Sequence, residues 1–152
     1  MALKPDRHYD YDVIQYFMNE TAERGGVVIH DVSTSGVGGL DDAGSLVKKP
    51  TDSGGVPVGV LMCDVVDVDL SRYRLNEHKD EVQKNSKVSI MKRGRVRTNM
   101  IVAGVQPVAG SGAYFTTSGY FTTAAGGTYA LVGRFDSSKD EDGYAGVEVN
   151  LP

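Results

Sequence analysis

The sequence holds one cysteine, no tryptophan and only five prolines in 152 residues. A single thiol can form neither an internal disulfide nor a cysteine-based zinc site. Cys63 ends the apolar run Val58-Gly-Val-Leu-Met-Cys63, where a small buried hydrophobe is expected. No apolar run approaches the roughly 20 residues that span a bilayer as a helix. The opening Met1-Ala-Leu-Lys-Pro-Asp6 lacks the apolar stretch of a signal peptide. A chain assembled in a cytoplasm, with no membrane partner, is therefore expected. The histidines, His8, His30 and His78, are too scattered for metal-ligand spacing, and no serine sits in a nucleophile-elbow context. The expectation is no catalytic residue, no metal and no cofactor. A net charge of −4 argues against nucleic acid as a partner, since phosphates attract a basic field.

Four stretches carry residue types that could do chemistry, and each has a plainer reading. The glycine loop Gly36-Val-Gly-Gly39 is followed by Leu40-Asp-Asp-Ala-Gly44. Those carboxylates, and the lack of a helix start, oppose phosphate binding and favour a surface loop. Asp64, Asp67 and Asp69 lack the glycine and terminal glutamate of a calcium loop, so a solvated strand face is expected. Lys92-Arg-Gly-Arg-Val-Arg97 is the one concentrated basic stretch. Without interleaved aromatics it reads as a solvated or protein-contacting surface. The acidic segment 136–142 reads as a polar loop tip.

Nineteen glycines are well above the roughly 7% of average chains. Together with abundant Val and Thr they indicate short strands joined by tight turns. Residues 1–9 read as an extended arm, because the residue before Pro5 is pushed out of the helical region. From Asp10 to Arg24, Val13, Tyr16, Phe17 and Glu20 recur at helical spacing. Asp10 or Asp12 would cap the start of this helix, and Gly25-Gly26 would stop it. Strands are expected over 27–32, 56–70, 130–135 and 144–151, while Leu46-Val47 is a brief apolar pair before a flexible stretch over 48–55. A polar excursion, with a possible helical turn, is expected over 71–86. A hairpin turning at Arg93-Gly94 is expected within 87–102. The twice-used Tyr-Phe-Thr-Thr of 113–123 reads as a strand and its return around Ser118-Gly119. The fold class is thus mostly β, a small β-barrel or β-sandwich with an N-terminal extended arm and one short helix. Residues 1–24 would form the arm and helix, and residues 25–152 a single β-rich domain.

The last two thirds, about residues 56–152, carry an ordered pattern. Lys87 to Gly94 leads into Arg95-Val-Arg-Thr. Gly112-Ala-Tyr-Phe-Thr and Gly119-Tyr-Phe-Thr follow, then Val132-Gly-Arg-Phe135 and a closing Asp142-Gly-Tyr-Ala-Gly-Val-Glu-Val149. This pattern resembles the small capsid decoration, or cement, proteins of tailed bacteriophages. The resemblance implies a compact β-barrel that binds the exterior of the expanded head, as a homotrimer on the major capsid protein, by an arm that orders on binding. Leu3, Pro5, Tyr9 and Tyr11 would then contact the capsid, and Val13, Tyr16 and Phe17 would serve as oligomer contacts.

The first functional expectation is a virion structural protein that bridges capsomers and stabilises the head. The alternative is a small β-sandwich that binds carbohydrate, weakened by the absence of tryptophan and kept open by eight tyrosines. An enzyme whose site assembles only in space is a third reading.

Overall fold

The structure is a computed structural model. It describes residues 3, 8–31, 46–51, 55–64, 68–69, 74–75, 80–126 and 130–152, with backbone alone at 8–11, 14, 15, 64, 68, 69, 74 and 75. Among these residues every regular element is a strand. In chain order they are β1 (His8–Met18), β2 (Ala22–Glu23), β3 (Val27–His30), β4 (Leu46–Lys48), β5 (Pro57–Asp64), β6 (Val68–Asp69) and β7 (Arg74–Leu75). The chain continues with β8 (Glu81–Val82), β9 (Lys87–Thr98), β10 (Gly112–Phe115), β11 (Phe121–Thr122), β12 (Leu131–Phe135) and β13 (Ala145–Asn150).

Nine strands form one sheet in the order β1-β4-β3-β5-β9-β13-β12-β10-β11, and a further β1–β9 pairing closes its first five strands into a barrel. Closure removes the open edge that a five-stranded sheet would otherwise present. β9 belongs to both halves of the molecule. Its first part pairs with β5, Met91 opposite Val60 and Val88 opposite Asp64. Its second part pairs with β13, Val96 opposite Val147 and Arg93 opposite Asn150. β1 runs antiparallel to β9 from Lys87 to Arg95.

Two apolar clusters result. One fills the barrel and includes Tyr16, Met18, Val28, Leu61, Val88 and Ile90. The other lies between the β3–β5–β9 wall and the remaining strands, and includes Val27, Ile29, Met91, Phe115, Phe121 and Phe135. Val28 thus faces one cluster while Val27 and Ile29 face the other. A wall buried on both faces favours an unbroken apolar run over alternation, as in Val27-Val-Ile and Leu61-Met. The rings of Phe121 and Phe135 meet edge to face at 6.4 Å between centroids, a preferred aromatic geometry.

The short helix expected over 10–24 is a strand. A register shift in the β1–β9 pairing between Val13 and Tyr16 inserts an extra residue, a β-bulge. Val13 and Tyr16 therefore both pack against the barrel interior, with Met18 following. Their spacing of three imitates a helical period although the segment is extended. The β-branched and aromatic content of this stretch favours the strand. Gly25-Gly26 does not stop a helix. The Gly25 N–H donates to Leu61 O at 2.7 Å, and Gly26 O accepts from the Leu61 N–H at 2.9 Å, so these glycines extend the pairing with β5.

The hairpin expected at Arg93-Gly94 is likewise absent, because β9 runs on as one strand to Thr98. Gly94 has φ +141°, a value that glycine reaches without steric cost, and it lies opposite both Tyr9 and Val149. A register shift at Lys92 in the pairing with β1 lets Met91 and Val96 face the same cluster despite their odd spacing. The strand and return of the repeated Tyr-Phe-Thr-Thr are present as β10 and β11, with Phe115 opposite Phe121. The expected 56–70 strand is β5 followed by the separate β6, and 71–86 contributes β7 and β8. The glycine loop at 36–39 and Asp67 lie outside the described residues.

Candidate functional site

Among the described residues no three His, Cys, Asp or Glu side chains gather closely enough to hold a metal ion. His30 borders the barrel core. Its ring meets Tyr16 edge-on at 5.6 Å, and burial, then the nearby Lys92 ammonium, holds its pKa below the ordinary value of 6.5. Lys92 lies 6.0 Å from the centre of the same Tyr16 ring. No nucleophile is described beside this histidine, and the group reads as the polar end of a barrel core. Asp31, also buried, forms an ion pair with Lys48 at 3.2 Å and accepts a hydrogen bond from Asn19, which satisfies its charge.

The surface with the most organised chemistry is the outward face of β9, β13, β12 and β10. Strand pairing sets its rows, since directly opposed residues point to the same side. Arg95 lies opposite Glu148, Glu148 opposite Arg134, and Arg134 opposite Gly112. The result is a row of cation, anion and cation across three strands. Arg134 Nε lies 3.2 Å from Glu148 Oε2. In the neighbouring row Arg93 lies opposite Asn150. Leu131, 57% exposed and opposite Tyr114, ends the face in an apolar corner. On the other side of these strands Phe135, Val147 and Val149 are buried in the second cluster.

The acidic loop after β12 folds against this face. Arg95 Nε contacts Asp136 Oδ2 at 2.5 Å, and Arg97 reaches Asp140 Oδ2 at 3.4 Å. The basic stretch of β9 and the acidic segment 136–142, separate surface features in the sequence, are thus partners in the fold. A depression of about 600 Å³ lies over Arg93, Arg95, Asp136, Glu148 and Asn150. Its floor is a rigid sheet and its lining is charged, so it can orient carboxylates or amides but offers nothing that could act as an activated nucleophile.

The residues expected to make contacts fall in different places. Leu3 is 2% exposed, packed in the second cluster, with its backbone bridged to Thr98. Tyr9 and Tyr11 lie in β1 opposite Gly94 and Arg93. Pro5 lies outside the described residues. Tyr16 is buried inside the barrel, whereas Val13 and Phe17 are half-buried. Among the side chains described, Leu3 packs in the second cluster and Tyr16 in the barrel. The arginine face was legible only in part, as the alternation of Arg93, Arg95 and Arg97. Arg134 and Glu148 join it through register, which no local pattern announces.

The structure combines a closed barrel, a second apolar core and an ion-paired outer face. The model of the phage cement family, described as structural cement protein (E217 gp24/Pam3 gp6), matches residues 6–150. The chain belongs to this family, and its role is that of a capsid-associated structural protein of a bacteriophage. No curated protein matches the sequence. Because the family is structural and not enzymatic, neither the enzyme reading nor the carbohydrate-binding alternative is carried further.

Proposed function

We propose that the protein binds the exterior of the phage head, contacts the major capsid protein and stabilises the shell by bridging adjacent capsomers. The observation that carries this reading is the extent of the family match. Residues 6–150 include the barrel, the shared strand β9 and the strands β10 to β13, which supports a cement role for the whole fold. A homotrimer would multiply each weak contact through effective concentration. Residues 1–9 would supply an extended segment to a neighbour, Pro5, Tyr9 and Tyr11 would contact the capsid, and Val13 and Phe17 would contribute to the contact between copies. Bridging raises the work needed to separate capsomers against the pressure of packaged DNA.

The test is to mix the purified protein with expanded heads that lack it, sediment them, and heat the product. Stoichiometric co-pelleting and greater heat resistance of the heads are expected. Heads that neither retain the protein nor gain heat resistance contradict the reading. Light scattering of the free protein checks the trimer.

A further inference from the structure

We infer that the outward face of β9, β13 and β12 is the docking surface for a carboxylate-bearing segment of the capsid shell, with Arg93, Arg95 and Arg134 as its anchors. The inference rests on the capsid-binding reading above and assigns it a surface.

Three observations converge on this face. First, its cations are of one kind. On the paired segments 93–98, 131–135 and 145–150 every cation is an arginine, four of the eight in the chain. Lysine is a hydrated point charge on a flexible stem, whereas the planar guanidinium presents a rigid fork of donors that matches a carboxylate. Arginine is accordingly enriched at protein interfaces and lysine depleted.

Second, one cation of the row stands outside its ion pairs. Arg95, Arg97 and Arg134 pair with Asp136, Asp140 and Glu148. Arg93 is exposed and forms no ion pair among the described residues. Each guanidinium carries five N–H donors, and the side chains of Arg95 and Arg134 remain 47% and 66% exposed.

Third, the interleaved acids select the partner. Glu148 stands between Arg95 and Arg134, and Asp136 lies against Arg95. A polyphosphate backbone laid along this row would meet both carboxylates. An acidic polypeptide segment can instead place a carboxylate at each arginine and a donor at Glu148. The apolar corner of Leu131 and Tyr114 gives such a segment one buried contact beside the charged ones. Charge complementarity of this kind fixes orientation and speeds association.

The experiment uses the full chain with expanded heads, in three forms: wild type, Arg93→Glu and Arg93→Glu/Arg134→Glu. Lys84→Glu, an exposed site on the turn before β9, matches the charge change of the single variant. Arg93→Glu breaks no ion pair among the described residues, so it should melt as the wild type does. Expected is a loss of head affinity of about tenfold or more for Arg93→Glu and a larger loss for the double variant. Lys84→Glu should bind as the wild type does, and wild-type binding should weaken with salt. If the wild type binds heads and Arg93→Glu binds equally well, the face is not the docking surface. Wild-type protein that ignores heads removes the capsid-binding reading itself. Wild-type retention of double-stranded DNA in place of heads, abolished by the same substitutions, would overturn the choice of an acidic protein segment.

Discussion

The buried hydroxyl of Thr98 donates to the carbonyl of Gly25 at 3.0 Å, and it also accepts the N–H of Met100 at 3.0 Å. One side chain at the end of β9 thereby satisfies two backbone groups, one of them on the turn that enters β3. Replacing it with the near-isosteric valine would leave both groups without this partner in a buried setting. Thr98→Val should lower stability by about 1–3 kcal/mol, read as a shift of the urea midpoint at constant m-value. Thr98→Ser, which keeps the hydroxyl and removes one methyl, should lose about 1 kcal/mol.

His30 makes stability depend on pH in a defined direction. Burial and Lys92 hold its folded pKa below 6.5, so the unfolded chain takes up the proton first as pH falls. Its contribution is complete above the unfolded value. It is lost as pH drops from there toward the folded one, because the unfolded state then binds more protons. Melting temperatures of wild type and His30→Gln, measured between about pH 8 and pH 5, should diverge in slope. The wild type falls more steeply below pH 6.5, and the variant lacks that component. Equal slopes would show that His30 titrates alike in both states.

How much of this could be seen in the sequence depended on how local each signal was. The glycine-punctuated C-terminal strands and the Tyr-Phe-Thr-Thr return were legible, because alternation and turn residues lie within a few positions of each other. The strand nature of 8–18 was concealed by the bulge after Val13, which places Val13 and Tyr16 three apart on one face. Gly94 carried the composition of a turn, yet it marks the point where β9 passes between β1 and β13. The arginine face was half legible for the same reason. Alternation on β9 can be read directly, while Arg97 meets Asp140 and Arg95 meets Asp136 only after β12 and β13 are laid in register. Cross-strand register is a property of the assembled sheet and not of any short window.

Gly119 ties the β10–β11 turn to the start of β3. It has φ +80°, its carbonyl accepts the Val27 N–H at 2.9 Å, and a methyl group built on it would stand 2.6 Å from the Val27 carbonyl oxygen. Gly119→Ala thus combines left-handed backbone strain with a collision against backbone that cannot easily move. A loss of roughly 2–4 kcal/mol is expected, the strain alone being about 1–3 kcal/mol. Gly104→Ala supplies the comparison, since Gly104 has φ +82° but no atom within 4 Å of the added carbon. It should be clearly milder. Equal losses at the two sites would assign the whole effect to backbone strain.

Asp140 organises the loop that folds onto the arginine face through two kinds of contact that can be separated. Its Oδ1 accepts the N–H groups of Asp142 at 3.1 Å and Tyr144 at 2.8 Å, while its Oδ2 faces Arg97 at 3.4 Å. The first contact shapes the turn into β13, and the second clips that turn to β9. Asp140→Ala removes both and should cost about 1–2 kcal/mol, since hydrogen bonds to a charged acceptor contribute more than neutral ones. Asp140→Asn keeps an oxygen for the two amides and loses only the charge, so its cost should stay below about 1 kcal/mol, the usual scale for a partly exposed ion pair. High salt separates the two further. Near 1 M, where the screening length falls to about 3 Å, wild type and Asp140→Asn should converge in stability, while Asp140→Ala stays below both. Convergence of all three would mean that Asp140 acts through charge alone and that its bonds to the turn contribute nothing.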